Sequence, residues 1–371
     1  MEYEKKNTEN NHLKRLIFIL FLSGIFQDSY AQHSFAVWQG FSNYWTYNHR
    51  VNRLGDYISQ LSYPNNKQAT LVHTAATGIG KDSAYFSSRY ALVQAKEIVH
   101  FSGKAEFVLQ AEEGAFKTVR KKIILQPDSS QQQKEVYIAL LNGFDLISSG
   151  DADKVQVFSV SIENPVYDKT KHELSIPLDV SFQADCSSPE CSLLNQTVDY
   201  KLSIYYLILS GMAKELSAKE LDYERTIRWD TKTETPKIPL EKSISISPGY
   251  EEGFFAYKRF SLHVKKERHY LGYENSINSA GINSLNQSAY CLMQLYYSNW
   301  AARMRKSPAS GGQAFFAFAQ PGEAVMQGSL QFIQFNGTVS YNHTDNTLFW
   351  EGKNHSPESD AAVKSKTIPI K

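Results

Sequence analysis

The chain has 371 residues, of which 42% are hydrophobic and 21% charged, and 39 Lys+Arg against 38 Asp+Glu leave a formal charge of +1. This is globular composition, not that of a disordered tail. The even charge balance argues against bulk electrostatic binding to nucleic acid or to an anionic membrane surface.

Residues 1–31 follow the order expected of a secretory signal. Lys14 and Arg15 precede the apolar run Leu16–Leu22, which continues through Ile25 and Phe26, and Ser29 and Ala31 place small residues before Gln32. The apolar run falls short of the ~20 residues needed to cross a bilayer as a helix. No membrane span is therefore expected, and the mature chain is expected to be exported, either secreted or periplasmic. Export permits disulfides. Cys186 and Cys191 bracket a short loop containing Pro189 and are expected to form a small loop-closing bridge. Cys291 lies in the apolar run Ala289–Met293 and is expected to be a buried free thiol.

The mature N-terminal region, 32–120, is expected to be a small β domain or a set of strands added to the next one. Aromatic residues are in excess, with 22 Tyr, 21 Phe and 5 Trp. Their densest stretch with basic residues runs from Trp38 to Arg53. Aromatic rings offer flat faces to sugar C–H groups, and Arg forks orient hydroxyl or acidic groups. Trp38, Trp45, Tyr47, His49 and Arg50 are the candidate binding residues. The competing reading is a hairpin with its Trp residues in the core and Arg on the solvated face.

From 121 to 210 the dominant period is two. Val136–Leu141, Val155–Ile162, Leu178–Phe182 and Tyr200–Leu209 alternate β-branched or aromatic residues with smaller or polar ones, as in strands with one face in a core. Turn signals at Asn142-Gly143, Asn164-Pro165 and Ser188-Pro189 separate them. Asp145, Asp151 and Asp153 surround one turn, without the Gly and closing Glu of a helix-flanked calcium loop. Met212–Leu221 is rich in helix formers and pairs Glu215 with Lys219 at i,i+4, so 211–240 is expected to be a helical connector. The C-terminal region, 241–371, is strand-like again. Asn336-Gly337 lies between alternating runs, a hairpin signal, and the Asn/Ser-rich stretch 273–288 reads as a surface loop. No internal repeat is evident. The fold class is mainly β: antiparallel β-sandwich domains with one short connecting helix.

The segment from Lys121 to Leu209 resembles an H-type lectin domain, a small six-stranded sandwich. The resemblance rests on the order Lys121–Pro127, Glu135–Leu146, Val155–Asn164, Leu178–Cys186 and Tyr200–Leu209. It implies a sugar-binding sandwich and, from the trimeric habit of that family, a homo-oligomer. The family's sugar contacts, an Arg on the middle strand and a Trp/His/Tyr cluster before the last strand, have no counterparts at Val155–Val157 or Ser192–Asp199.

No H-E-x-x-H, G-x-S-x-G or P-loop occurs, and neither a metal site nor a cofactor is implied. The charged run His263–His269 reads as a solvated strand end. The expected function is that of a secreted, non-catalytic carbohydrate-binding protein, within an extracellular polysaccharide-capture or utilisation system, whose partner is a polysaccharide or other glycan. The alternatives are a polysaccharide-degrading enzyme on a β scaffold and a structural or adhesion module.

Overall fold

The computed structural model describes residues 33–46, 57–62, 70–77, 83–95, 97–111, 117–127, 133–148, 155–184, 198–229, 238–266, 272–283, 285–298, 300–306, 313–319, 322–349 and 362–369. The expected signal segment, Tyr47, His49, Arg50, Cys186 and Cys191 lie outside the described residues. Those described are almost entirely antiparallel strands, as the period-two pattern requires, and contain no helix.

In chain order the strands form three rounds. The first is β1 (His33–Thr46), β2 (Tyr57–Ser62), β3 (Thr70–Thr77), β4 (Ser83–Ala95), β5 (Val99–Ala111) and β6 (Lys117–Leu125). The second is β7 (Val136–Ser148), β8 (Val155–Ile162), the short β9 (Val166–Asp168), β10 (Glu173–Ala184), β11 (Val198–Gly211), β12 (Leu216–Trp229) and β13 (Ile238–Ser245). The third is β14 (Glu252–Lys266), β15 (Gly272–Asn283), β16 (Ser288–Ser298), an inserted hairpin of β17 (Trp300–Lys306) and β18 (Gln313–Ala319), then β19 (Gly322–Phe335), β20 (Gly337–Phe349) and β21 (Ala362–Pro369). Leaving aside β9 and the hairpin, each round has six strands.

The rounds interleave. Sheet I runs β13-β16-β15-β1-β4-β20, sheet II β21-β3-β2-β7-β11-β5, and sheet III β6-β10-β8-β14-β19-β12, with β9 on β10. From edge to edge, every sheet holds the sixth, third, second, first, fourth and fifth strand of a round. The first and fourth come from one round, the second, third and fifth from the round before it in cyclic order, and the sixth from the round after. The chain therefore has pseudo-threefold symmetry, and each sheet is completed by strands from all three rounds.

The opening strands β1, β7 and β14 align residue by residue. Phe35-Ala36-Val37-Trp38-Gln39-Gly40-Phe41 matches Ile138-Ala139-Leu140-Leu141-Asn142-Gly143-Phe144 and Phe254-Phe255-Ala256-Tyr257-Lys258-Arg259-Phe260. Each strand has a bulge at the same place. Gly40 and Gly143 have φ of 98° and 121° there, a backbone that a Cβ opposes. The residues at the bulge, Gln39, Asn142 and Lys258, are all buried. Asn142 Oδ1 accepts from the Trp38 amide at 3.0 Å, and Gln39 Nε2 donates to the carbonyl oxygen of Phe255. Equivalent residues touch across the pseudo-axis: Phe35 and Phe254 lie 6.3 Å apart, and Phe144 stacks on Phe260 at 6.0 Å. Apolar side chains from all three sheets close the core around this junction.

Four sequence expectations are corrected. The described part of the expected helical connector, 211–229 and 238–240, is not helical. Only a turn at Met212–Glu215 precedes β12, which pairs with β19 from Leu216↔Phe335 to Trp229↔Gly322. Tyr223 and Ile227 alternate into the core, and this burial outweighs a weak helix propensity. Most of the Asn/Ser-rich stretch is strand, with a turn at 285–287. It forms β15 and opens β16, with Asn275 and Ser276 buried. Asn275 earns its place through hydrogen bonds, accepting from Tyr257 Oη at 2.7 Å and linked to Tyr223 Oη at 3.1 Å. Asn336-Gly337 makes no hairpin, because β19 belongs to sheet III and β20 to sheet I. It hands the chain between sheets, as do Ala95 to Val99 and Gly211 to Leu216. Finally, a repeat exists, and pairing crosses the boundaries expected at 120, 210 and 240. The segment 121–210 supplies β6, β8 and β10 to sheet III and β7 and β11 to sheet II, so it does not form a sandwich by itself.

Candidate functional site

Trp38 is 1% exposed. Its ring packs against Phe144 and Tyr257, so it is a core residue and offers no surface for stacking on a sugar. Trp45 stands near the end of β1 with its backbone opposite Ala84. A described face rich in hydrogen-bonding groups lies elsewhere, on sheet III.

Strand alternation builds this surface. Phe158, Val160, Leu178, Val180, Phe260, Leu262, Leu330 and Met326 face the core, and the residues between them face the other way. Near the junction that second face carries Phe254, Ala256 and Ile333, which pack into the core. Beyond the bulge it turns polar. The register places Asp222, Ser329, Arg259, Ser161, Asp179 and Arg120 in one row across all six strands. A second row holds Glu224, Gln327, Ser261, Ser159, Ser181 and Thr118. Neighbouring strands lie about 4.8 Å apart, so each row spans ~24 Å.

The charged members of the first row are paired. Arg120 grips Asp179 with two bonds of 2.7 Å, and Arg259 reaches Asp222 at 3.0 Å. The hydroxyls of Thr118 and Ser181 meet at 3.0 Å in the second row. Beside the rows, Lys258 Nζ sits 2.7 Å from Glu220 and 3.5 Å from Glu163. Whereas Gln39 and Asn142 turn to the backbones of neighbouring rounds, Lys258 turns out to these carboxylates. Burial works to raise the Glu220 pKa, but hydrogen bonds from Lys258 and Ser329 and the charges of Lys258 and Arg259 leave it below its ordinary value. Gln331, 1% exposed, donates to Asn164 at 2.8 Å, and its Oε1 is buried with no partner among the described residues.

Asp179, Asp222 and Glu220 are each tied to an Arg or Lys. Carboxylates held this way orient hydroxyl donors, a role distinct from proton transfer. The equivalent rows, His343, Arg89, Gly40, Ser276, Gln294 and Pro239 in sheet I and Lys104, Tyr205, Gly143, Gln60, Val72 and Thr367 in sheet II, lack the alternating charges, so the platform is particular to sheet III. Among the described residues no group of three His, Cys, Asp or Glu is placed to hold a metal.

No family model, curated protein or solved structure matches the chain. Sequence reasoning did not single out these rows. Ser159 and Ser161 were visible as the polar half of an alternating strand, but the rows exist only through a register joining strands of different rounds.

Proposed function

We propose that the chain is an exported, non-catalytic glycan-binding protein that receives a saccharide chain on the polar face of sheet III. The observation that carries this reading is the pair of rows crossing six strands, with two Arg–Asp pairs in one, that of Arg120 and Asp179 forked, and hydroxyls in the other. Sugar hydroxyls both donate and accept, and carboxylate, guanidinium and hydroxyl groups held on a sheet match them without a deep cleft. A saccharide chain laid along a row would meet a polar group at five of the six strands, Ser329 being buried in the first row and Ser261 in the second. Trp45, Tyr47, His49 and Arg50 are proposed as a second contact segment. The leader-like residues 1–31 and the aromatic excess support an extracellular role in polysaccharide capture.

Affinity electrophoresis of the full chain on a panel of soluble polysaccharides, with and without calcium, tests the proposal. Retardation by at least one polymer, weakened by the double substitution Ser159→Val and Ser181→Val with the melting temperature preserved, is the expected result. No retardation on any polymer would overturn it. Release of reducing ends or unsaturated products would replace it with the enzymatic reading.

A further inference from the structure

We infer that the bound glycan is acidic and that the β6 edge of sheet III holds its charges, an inference that rests on the glycan-binding reading above. The net charge of the chain conceals this edge. Strand β6 carries Lys117, Arg120, Lys121 and Lys122 within nine residues and has no acidic residue. Arg120, Lys121 and Lys122 are exposed, and β6 is the outermost strand of its sheet. Arg120 and Lys122 alternate onto the polar face, about 7 Å apart along the strand, at the end of the first row.

The cationic surface continues onto β5, the edge strand of sheet II. Lys121 Nζ donates to the Glu106 carbonyl at 2.9 Å and lies 5.5 Å from the centre of the Phe107 ring, which joins the two edges. Lys104 pairs with the Glu106 carboxylate at 2.6 Å. The hydrogen bond and charge of Lys104, with smaller contributions from Lys121 and Lys201, hold that carboxyl below its ordinary pKa. One carboxylate thus stands among three lysines, leaving a local excess of positive charge. An ammonium has three donors, so Lys121 keeps hydrogens for a ligand while it bridges the strands.

Charged side chains also protect open sheet edges from pairing with other chains, and pseudo-symmetry separates that role from binding. Strands β13 and β21 occupy the same edge position in sheets I and II. β13 carries Glu241 and Lys242 together with Pro239, and β21 carries Lys364 and Lys366 together with Pro369, which suffices to discourage pairing. Protection alone does not call for the four cations of β6. The surface instead fits a polymer bearing carboxylates or sulfates at intervals, laid along a sheet that already offers hydroxyl and amide partners.

The test uses the full chain and measures affinity for polygalacturonate, chondroitin sulfate and neutral galactan at low and moderate salt. The double variant Lys122→Glu with Lys201→Glu is compared with the unaltered chain, and Lys122→Gln with Lys201→Gln repeats the comparison if the first misfolds. Tighter binding to one or both acidic polymers, weakened by salt and at least tenfold by the substitutions, is expected, with any neutral-polymer binding unchanged. The carboxylated and sulfated arms identify which acid is preferred. Binding to galactan alone, or acidic-polymer binding that the substitutions leave intact, would overturn this inference while the glycan reading stands. Binding to no glycan would overturn both. Single-stranded DNA bound as tightly as the acidic polymers would overturn the assignment in favour of general polyanion binding.

Discussion

Trp38 and Tyr257 hold the same position in the first and third rounds of the chain, and their rings pack against each other with centroids 5.2 Å apart. Contact between equivalent residues places them beside the pseudo-axis where β1, β7 and β14 meet. Three sheets depend on that point, so changes there affect the whole body.

Substituting Trp38→Ala removes a fully buried ring and is expected to cost about 3–5 kcal/mol. Asn142→Leu deprives the Trp38 amide of its acceptor and is expected to cost about 1–3 kcal/mol. Urea denaturation would measure both. The double variant should lose less than the sum, because the two residues share one contact.

Two glycines separate collision from backbone strain. Gly40 has φ 98°, and a Cβ there would collide with the Asn275 carbonyl. Gly249 has φ 94°, with nothing near its would-be Cβ. Gly249→Ala is expected to cost only the left-handed backbone penalty of about 1–2 kcal/mol. Gly40→Ala should cost clearly more, or prevent folding, as read by the same denaturation curves.

Lys258 controls an acid-sensitive contribution to stability. The pKa of Glu220 is depressed in the folded chain from an ordinary 4.5. Its contribution is therefore present above that value and is lost as pH falls through the folded one. Lys258→Met removes the main partner and is expected to cost about 1–2 kcal/mol at neutral pH, since the carboxylates are partly hydrated. Melting temperatures from pH 7 to 3 should show the difference from the unaltered chain shrinking on acidification.

Cys291 is fully buried, and burial pushes its thiol up to about 12. The thiolate is the reactive form, so Cys291 is expected to resist iodoacetamide at pH 8 in the folded protein and to react in denaturant. Peptide mass spectrometry would read the labelling at this position.

Some of this architecture was legible from the residues. The period-two pattern of Val155–Ile162 and of the first half of Tyr200–Leu209 predicts strands, and both segments are strands. The helical expectation for Met212–Leu221 came from local propensity, which β12 overrides through pairing with β19. The repeat is not legible in the sequence because the three junction strands share a pattern of apolar faces, bulge and Phe with few identities: Trp38, Leu141 and Tyr257 fill one place, and Gln39, Asn142 and Lys258 another. Trp38 looked like a binding residue because aromatic composition alone does not distinguish core from surface. The polar rows of sheet III could not be read locally, since Arg120 and Asp179 are 59 residues apart and meet only through register.

Hydrogen-exchange mass spectrometry of the full chain, with and without an acidic polysaccharide that it binds, tests the central claim most directly. Added protection in β6 and in the parts of β8, β10 and β14 that carry the rows is the expected result, with the core of sheet I unchanged. Protection confined to other strands, with the face of sheet III unaltered, would contradict the account.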